Sequence, residues 1–118
     1  MPSRSERDLR LYVEDMVAFC DAVLEYTNGL DDAQFLAERM RVDATLRNLM
    51  LIGEAATKVP EALRAMAPNV PWRKLVGTRN RLIHAYLGID LSTIWSIVQD
   101  DVPVLRKELV DLLARLPD

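Results

Sequence analysis

Residues 46–56 read LRNLMLIGEAA and place apolar side chains around most of the circumference of one predicted helix. Such a helix is typical of the centre of a bundle, because each of its sides needs a packing partner. The pattern predicts this helix from about Val42 to Val59, where a proline follows. Gly53 and the alanines would let a neighbouring helix approach closely. Glu54 is interpreted as a partly buried acceptor or an ion-pair partner, with a catalytic role as the alternative.

Apolar residues also recur at helical spacing before this segment. The first predicted helix has one stripe of Leu9, Val13, Met16, Cys20, Val23 and Thr27, and a second stripe of Tyr12, Phe19 and Tyr26. Asn28-Gly29 is expected to end that helix in a left-handed turn. Asp31 and Gln34 then predict the start of a short helix that continues to Arg39.

Further helices are predicted after the central segment. A short one covers Pro60–Ala67, and another begins at Pro71 and continues to about His84. Asp90 is expected to cap the last helix, whose stripe continues through Pro103, where we expect a kink. No segment alternates with the period of a strand. The sequence therefore predicts a single domain over residues 1–118 with an all-α fold, an up-down bundle of four to five helices.

Composition excludes several classes of protein. The 118 residues are 50% hydrophobic and 28% charged, which is typical of one globular domain. The single cysteine and single histidine allow neither an internal disulfide nor a cysteine-based metal site, so we expect no metal. No glycine-rich phosphate loop and no apolar run of membrane-spanning length occur in the sequence. We therefore expect a cytoplasmic protein that binds no cofactor and does not associate with a membrane.

The charge of −3 is unevenly distributed along the chain. The segment from Ala62 to Ile89 contains no acidic residue and five basic ones: Arg64, Arg73, Lys74, Arg79 and Arg81. This gap in the acidic residues has two interpretations. It could arise by chance in a surface of mixed positive and negative charge. Alternatively, it could mark a patch that attracts phosphate on a protein whose remaining surface is net negative and repels phosphate.

One segment combines residues that suit phosphoryl transfer. Residues 77–86 read GTRNRLIHAY and contain the only histidine of the chain. Asn80 and His84 share a helix face, whereas Arg79 lies about 140° from His84 on a regular helix. Arginine can hold a phosphate and its transition-state charge, histidine can transfer a proton, and RNA supplies its own 2′-hydroxyl nucleophile. The alternative is a histidine that only caps a helix or forms a buried hydrogen bond.

Cleavage of this kind needs both a base and an acid, and each chain offers one histidine. A two-fold homodimer would bring two arginines and two histidines into one cleft. The apolar stripes of the first and last helices also exceed what a monomer needs to bury, which favours a dimer.

Trp72 and Trp95 are predicted to pack in the core rather than to stack on bases, and Cys20 is predicted to be a small buried hydrophobe.

The spacing Arg79-x-x-x-x-His84-x-Tyr86 resembles the R-x(4)-H-x-Y motif of HepT-like toxins, the minimal members of the HEPN superfamily. Residues 48–59, 71–77 and 90–95 also look like that family, and the helix order agrees from about Arg7 to Leu113. The resemblance implies a small all-α dimer that cleaves RNA without metal, as the toxin of a type VII-like toxin–antitoxin pair.

The resemblance also implies roles for individual residues. Arg79 and His84 correspond to the catalytic pair, and Asn80 corresponds to the polar position that follows the arginine. Tyr86 corresponds to the tyrosine to which a minimal nucleotidyltransferase antitoxin attaches AMP, silencing the toxin. The alternative function is a non-catalytic, nucleotide-binding helical dimer that binds a nucleotidyltransferase and positions its nucleotide or substrate.

Overall fold

The computed structural model describes residues 6–84 and 88–117. Within these ranges the chain is helical, without strands, and the predicted all-α fold is confirmed. The helices are α1 (Glu6–Thr27), α2 (Asp32–Leu36), α3 (Arg39–Thr57), α4 (Glu61–Arg64), α5 (Trp72–His84), α6 (Leu91–Ser96) and, after a π-helical turn (Ile97–Asp101), α7 (Val102–Arg115). None of the helices in the described ranges has both the length and the apolar character needed to cross a membrane.

Helices α1, α3, α5 and α7 form the bundle. α1 packs against α3 and α7, and α3 packs in turn against α5. Arg10, near the start of α1, donates a hydrogen bond to the carbonyl of Leu113 near the end of α7 (3.1 Å). Arg41, near the start of α3, donates to the carbonyl of Tyr26 at the end of α1 (3.0 Å). α1 is thus antiparallel to both neighbours, and α3 lies between α1 and α5 as a central helix should.

Short-range signals place several helix ends. Asp31 caps α2 in a reciprocal capping box with Gln34, as predicted. Gly29, after α1, has a φ of 76°, which confirms the left-handed turn. The predicted boundary between the second and third helices was wrong by three residues, because Arg39 begins α3 instead of ending α2. α3 has no side-chain cap, and ion pairs such as Arg41–Glu38 (2.9 Å) stabilise its first turn.

The last helical stretch passes through Pro103 without ending, as predicted. A π-helical turn lies immediately before α7, and the backbone N–H of Val102 donates to the carbonyl of Ile97. Pro103 lies in the first turn of α7, directly after this π-helical turn, and the first turn is where a helix tolerates proline. The turn thus joins α6 and α7 into one continuous path along the bundle.

The surplus of apolar surface predicted for the first and last helices does not lie on their main stripes. In α1 every member of the main stripe from Val13 to Thr27 is buried, and the stripe of the last helix is buried from Ile94 to Leu112. Both stripes are covered within one chain because α1 and α7 pack on each other. Large apolar side chains remain exposed outside these stripes, at Leu11 of α1 (48% exposed), at Val104 of α7 (56%) and, on α5, at Ile83 (44%).

The remaining core predictions are confirmed. Trp72 is buried, and its indole N–H donates to the carbonyl of Ala67 (3.1 Å). Trp95 packs against Phe35 with ring centroids 5.1 Å apart. Cys20 is fully buried, and burial raises the pKa of its thiol to about 12, so the thiol stays neutral. These residues stabilise the bundle on which the candidate site is built.

Candidate active site

α5 packs closely against α3 at Gly53. A Cβ atom at this position would lie 2.3 Å from the Cβ of Arg79 and 2.6 Å from the carbonyl oxygen of Leu75. These separations are shorter than non-bonded atoms tolerate, so any larger residue would push the two helices apart. Glycine therefore lets the stem of Arg79 lie directly against α3.

Glu54 follows Gly53 and holds the guanidinium of Arg79. Its Oε2 lies 2.8 Å from Nε and 2.7 Å from Nη2 of the arginine. The ion-pair interpretation of Glu54 is thereby confirmed. The two side chains are 28% (Arg79) and 44% (Glu54) exposed, and an ion pair this accessible to solvent adds little to stability. Its main effect is to fix the direction of the arginine.

Asn80 orients the other end of the same guanidinium. Nη1 of Arg79 donates a hydrogen bond to Oδ1 of Asn80 (2.8 Å). Asn80 shares a helix face with His84, so this bond directs the guanidinium toward the histidine side of α5. Arginine has five N–H donors, and the contacts with Glu54 and Asn80 engage one each on Nε, Nη2 and Nη1. Donors on Nη1 and Nη2 therefore remain for a phosphate oxygen.

His84 is the last residue of α5, and its side chain is exposed. It forms no hydrogen bond or ion pair with any residue in ranges 6–84 and 88–117. The alternative of a buried structural histidine is therefore wrong. Tyr86, the predicted modification site, lies outside the described residues.

The five basic residues of the acid-free segment are only partly available to a ligand. Arg64 donates to the carbonyl oxygens of Val59 and Ala56 and lies over the ring of Trp72. Lys74 pairs with Asp101 (2.6 Å), and Arg79 pairs with Glu54. Arg73 and Arg81 are exposed and have no hydrogen-bond or ion-pair partner in the described part of the chain. A phosphate-attracting patch in this segment would therefore be smaller than the charge count indicates.

Two clefts lie beside α5, on a different side from Arg79. They have volumes of about 190 and 260 Å³. Both are lined by Thr78 and Arg81 of α5 and by Thr93 and Ile97 across from them. Neither is lined by Arg79, Asn80 or His84. The three predicted catalytic residues thus lie outside both clefts, with Asn80 and His84 exposed and Arg79 half-buried.

Comparison with known proteins shows the family to which the chain belongs. Residues 16–112 match the protein family described as "Ribonuclease HepT-like". The chain belongs to this HepT-like family. The matched range contains Arg79, Asn80, His84 and Tyr86.

Several named proteins are similar to this HepT-like chain over nearly its whole length. A protein of Methanocaldococcus jannaschii named as a candidate RNase is 40% identical over 105 residues, covering 89% of this chain and 96% of its own. A second protein of that organism, also named as a candidate RNase, is 30% identical. The match covers 96% of this chain and 97% of that protein. A protein of Thermococcus cleftensis named as a probable ribonuclease HepT is 34% identical. The match covers 87% of this chain and 91% of that protein. No solved structure gives a significant match.

Sequence reasoning found the HepT-like motif but not the partner of its arginine. The sequence offers one signal for this partner, because Glu54 is an isolated charge in an apolar stretch. Its partner Arg79 lies 25 residues away in sequence, so only the packing of α3 on α5 joins the two.

Proposed function

We propose that this HepT-like chain is a metal-independent endoribonuclease that acts in the cytoplasm as the toxin of a type VII-like toxin–antitoxin pair. One observation supports this proposal most directly. Arg79 is held by Glu54 and Asn80, with guanidinium donors left over, on the same helix that ends in the exposed His84. In a chain of this family, the pair supplies a phosphate-binding group and a proton-transfer group.

The proposed reaction uses the 2′-hydroxyl of RNA as the nucleophile. The imidazole of His84 accepts the 2′-hydroxyl proton, and the 2′-oxygen forms a bond to the neighbouring phosphorus. The bond from phosphorus to the 5′-oxygen of the next nucleotide breaks, and that oxygen takes a proton from a protonated second histidine. The products are a 2′,3′-cyclic phosphate and a free 5′-hydroxyl.

Arg79 is proposed to stabilise the charge that develops on the phosphate oxygens. A preoriented guanidinium serves this role better than a mobile one, because it need not be reordered during the reaction. Glu54 neutralises part of the arginine charge, which weakens binding of phosphate in the ground state. In compensation, Glu54 fixes the orientation of the Arg79 guanidinium. We therefore regard Glu54 as a positioning residue.

The second histidine is proposed to come from a second copy of the chain. In a two-fold homodimer the partner subunit's His84 would provide the acid while His84 of the first copy provides the base. The exposed Ile83 beside His84 offers apolar surface for such a contact (44% exposed). A cleft around Arg79, Asn80 and His84 would then form between the two copies.

Cleavage of RNA in the presence of EDTA tests the proposed function. We expect the purified chain to cleave single-stranded RNA under these conditions and to leave a 2′,3′-cyclic phosphate, detected by mass spectrometry. An RNA with a single 2′-deoxy substitution at the cleaved position should resist cleavage there, because the nucleophile is missing. The rate per chain should also fall on dilution through the range in which sedimentation detects dissociation of the dimer.

Cleavage of the 2′-deoxy position, or a strict need for added divalent metal, would contradict the mechanism. No cleavage of any RNA, together with retained binding of a nucleotidyltransferase, would favour the alternative, a non-catalytic dimer that positions a nucleotide or substrate for that enzyme.

Silencing is proposed to act through Tyr86, two residues after His84 in sequence. A nucleotidyltransferase antitoxin would transfer AMP from ATP to the tyrosine oxygen, with release of pyrophosphate. The added phosphate would compete for the Arg79 guanidinium and repel incoming RNA.

AMP on Tyr86 is therefore expected to suppress RNA cleavage without unfolding the protein. Incubation with ATP and the cognate transferase should add one AMP in an intact-mass spectrum, with the melting temperature nearly unchanged. Tyr86→Phe should remain active and gain no adduct. An adduct on another residue, or suppression with no adduct, would disprove this mechanism in favour of steric blocking by the partner.

A further inference from the structure

The two clefts beside α5 form one continuous groove, because Thr78, Arg81, Thr93 and Ile97 line both of them. One cleft extends to Gly88 and Asp90, and the other extends to Lys74 and Asp101. We call this surface the α5–α6 groove. The HepT-like motif residues Arg79, Asn80 and His84 do not line it, so the proposed catalytic chemistry leaves it without a role.

Among the residues that the structure describes, Arg81 is the cation of this groove that has no hydrogen-bond or ion-pair partner. The other cation, Lys74, is paired with Asp101 at 2.6 Å. Asp90 accepts hydrogen bonds from the backbone N–H and the hydroxyl of Ser92 and from the hydroxyl of Thr93. The charges at the two ends of the groove are therefore engaged by neighbours, whereas Arg81 has no partner among the described residues.

Thr78 supplies a second unused group next to Arg81. The two residues are three apart on α5, so their side chains are neighbours on the helix surface. Thr78 is half-buried, and its hydroxyl has no hydrogen-bond partner in the described part of the chain. A guanidinium and a hydroxyl side by side match the oxygens of a phosphate group.

The groove is also connected to the candidate active site. Arg81 and His84 are again three residues apart on α5, so Arg81 lies between the histidine and the groove. A phosphate at Arg81 would have open groove on either side of it, which suits a continuous strand better than a single nucleotide confined to one cleft.

From these observations we propose that the α5–α6 groove binds the sugar-phosphate backbone of single-stranded RNA, with one phosphate held by Arg81 and Thr78. This inference rests on the proposed ribonuclease function and adds the path that the substrate follows away from His84. Arg81 and Thr78 bind the strand and take no part in the bond-breaking step.

The test measures RNA binding in the His84→Ala background, where cleavage cannot interfere. A fluorescently labelled single-stranded RNA is titrated with protein at several salt concentrations in EDTA. Arg81→Gln is expected to weaken binding about tenfold, as for a charge-assisted hydrogen bond. It should also reduce the slope of log K against log salt by about 0.7, the value for one phosphate contact on a single strand.

Two further variants separate the groove from a general charge effect. Thr78→Val should weaken binding several-fold but leave the salt slope unchanged, because a hydroxyl releases no counterion. Lys107→Gln is the matched control, since Lys107 is exposed on α7 without a partner in the described ranges, and its loss changes net charge equally. It should leave both affinity and slope nearly unchanged.

Equal effects of Arg81→Gln and Lys107→Gln, or no RNA binding at all, would overturn the proposal. Stronger Arg81-dependent binding of free AMP or inorganic phosphate than of RNA would also overturn it, in favour of a mononucleotide or phosphate site. Cleavage by the chain with His84 intact is scored separately. Arg81-dependent RNA binding without any cleavage would refute the proposed ribonuclease function but leave the proposed RNA-binding groove standing. Cleavage that does not depend on Arg81 would refute the groove but leave the ribonuclease function standing.

Discussion

His84→Ala is expected to lower the rate of metal-free RNA cleavage by about 10²–10⁴-fold, the usual contribution of a general acid or base. The effect should lie near the upper end of this range, because in the proposed homodimer the substitution removes the base and the acid together. His84→Gln should lose as much activity, since an amide keeps a polar side chain but cannot transfer the proton. Initial rates with a labelled RNA in EDTA measure both variants.

The fold should tolerate these substitutions, since His84 is exposed and contacts no described residue through a hydrogen bond or ion pair. Melting temperature and RNA affinity should therefore remain close to those of the unmodified chain. His84→Ala that retains more than about a tenth of the rate would contradict a proton-transfer role. Loss of RNA binding together with cleavage would instead assign His84 to substrate binding.

The fold could be predicted largely from the sequence because helix periodicity and turn residues act over short distances. The stripe from Val13 to Thr27, the capping box at Asp31 and the left-handed Gly29 all depend on neighbours within a few positions. The start of α3 at Arg39 was missed for a related reason. No side-chain cap marks it, and its first turn depends on weak ion pairs at helical spacing.

The candidate site could be predicted only in part, because charges pair across the tertiary structure. The motif identified Arg79 and His84, but the carboxylate that orients Arg79 comes from another helix. The basic segment overstated the free positive charge for the same reason. Lys74, for example, is paired with Asp101, 27 residues along the chain. Counting charges along a sequence does not reveal which of them the fold neutralises.

The dimer prediction shows a similar limit. Apolar stripes reveal which side of a helix is buried, but not whether the partner is the same chain or a second one. α1 and α7 cover each other, so their stripes give no support for a dimer. The argument for two copies now depends on the single histidine and on exposed apolar residues such as Ile83.

Gly53→Ala is expected to destabilise the protein by about 1–3 kcal/mol, the usual cost of overpacking a tight contact. The new Cβ would meet the Cβ of Arg79 at 2.3 Å and the carbonyl oxygen of Leu75 at 2.6 Å. One of these atoms belongs to the backbone, so α5 itself must move away from α3. At roughly 3–6 °C per kcal/mol for a domain of this size, thermal unfolding should detect the change. RNA cleavage should fall as well, because Glu54 and Arg79 are drawn apart.

Gly77→Ala is the matched control, because Gly77 is also helical and has no atom within 4 Å of its would-be Cβ. Without a clash, alanine should stabilise α5 by about 0.5–1 kcal/mol through its higher helix propensity. The same chemical change thus has opposite expected signs at two positions, and only the contact with α3 distinguishes them. Equal stabilisation at both positions would show that α5 does not depend on Gly53 for its approach to α3, and that Arg79 is positioned by something other than this contact.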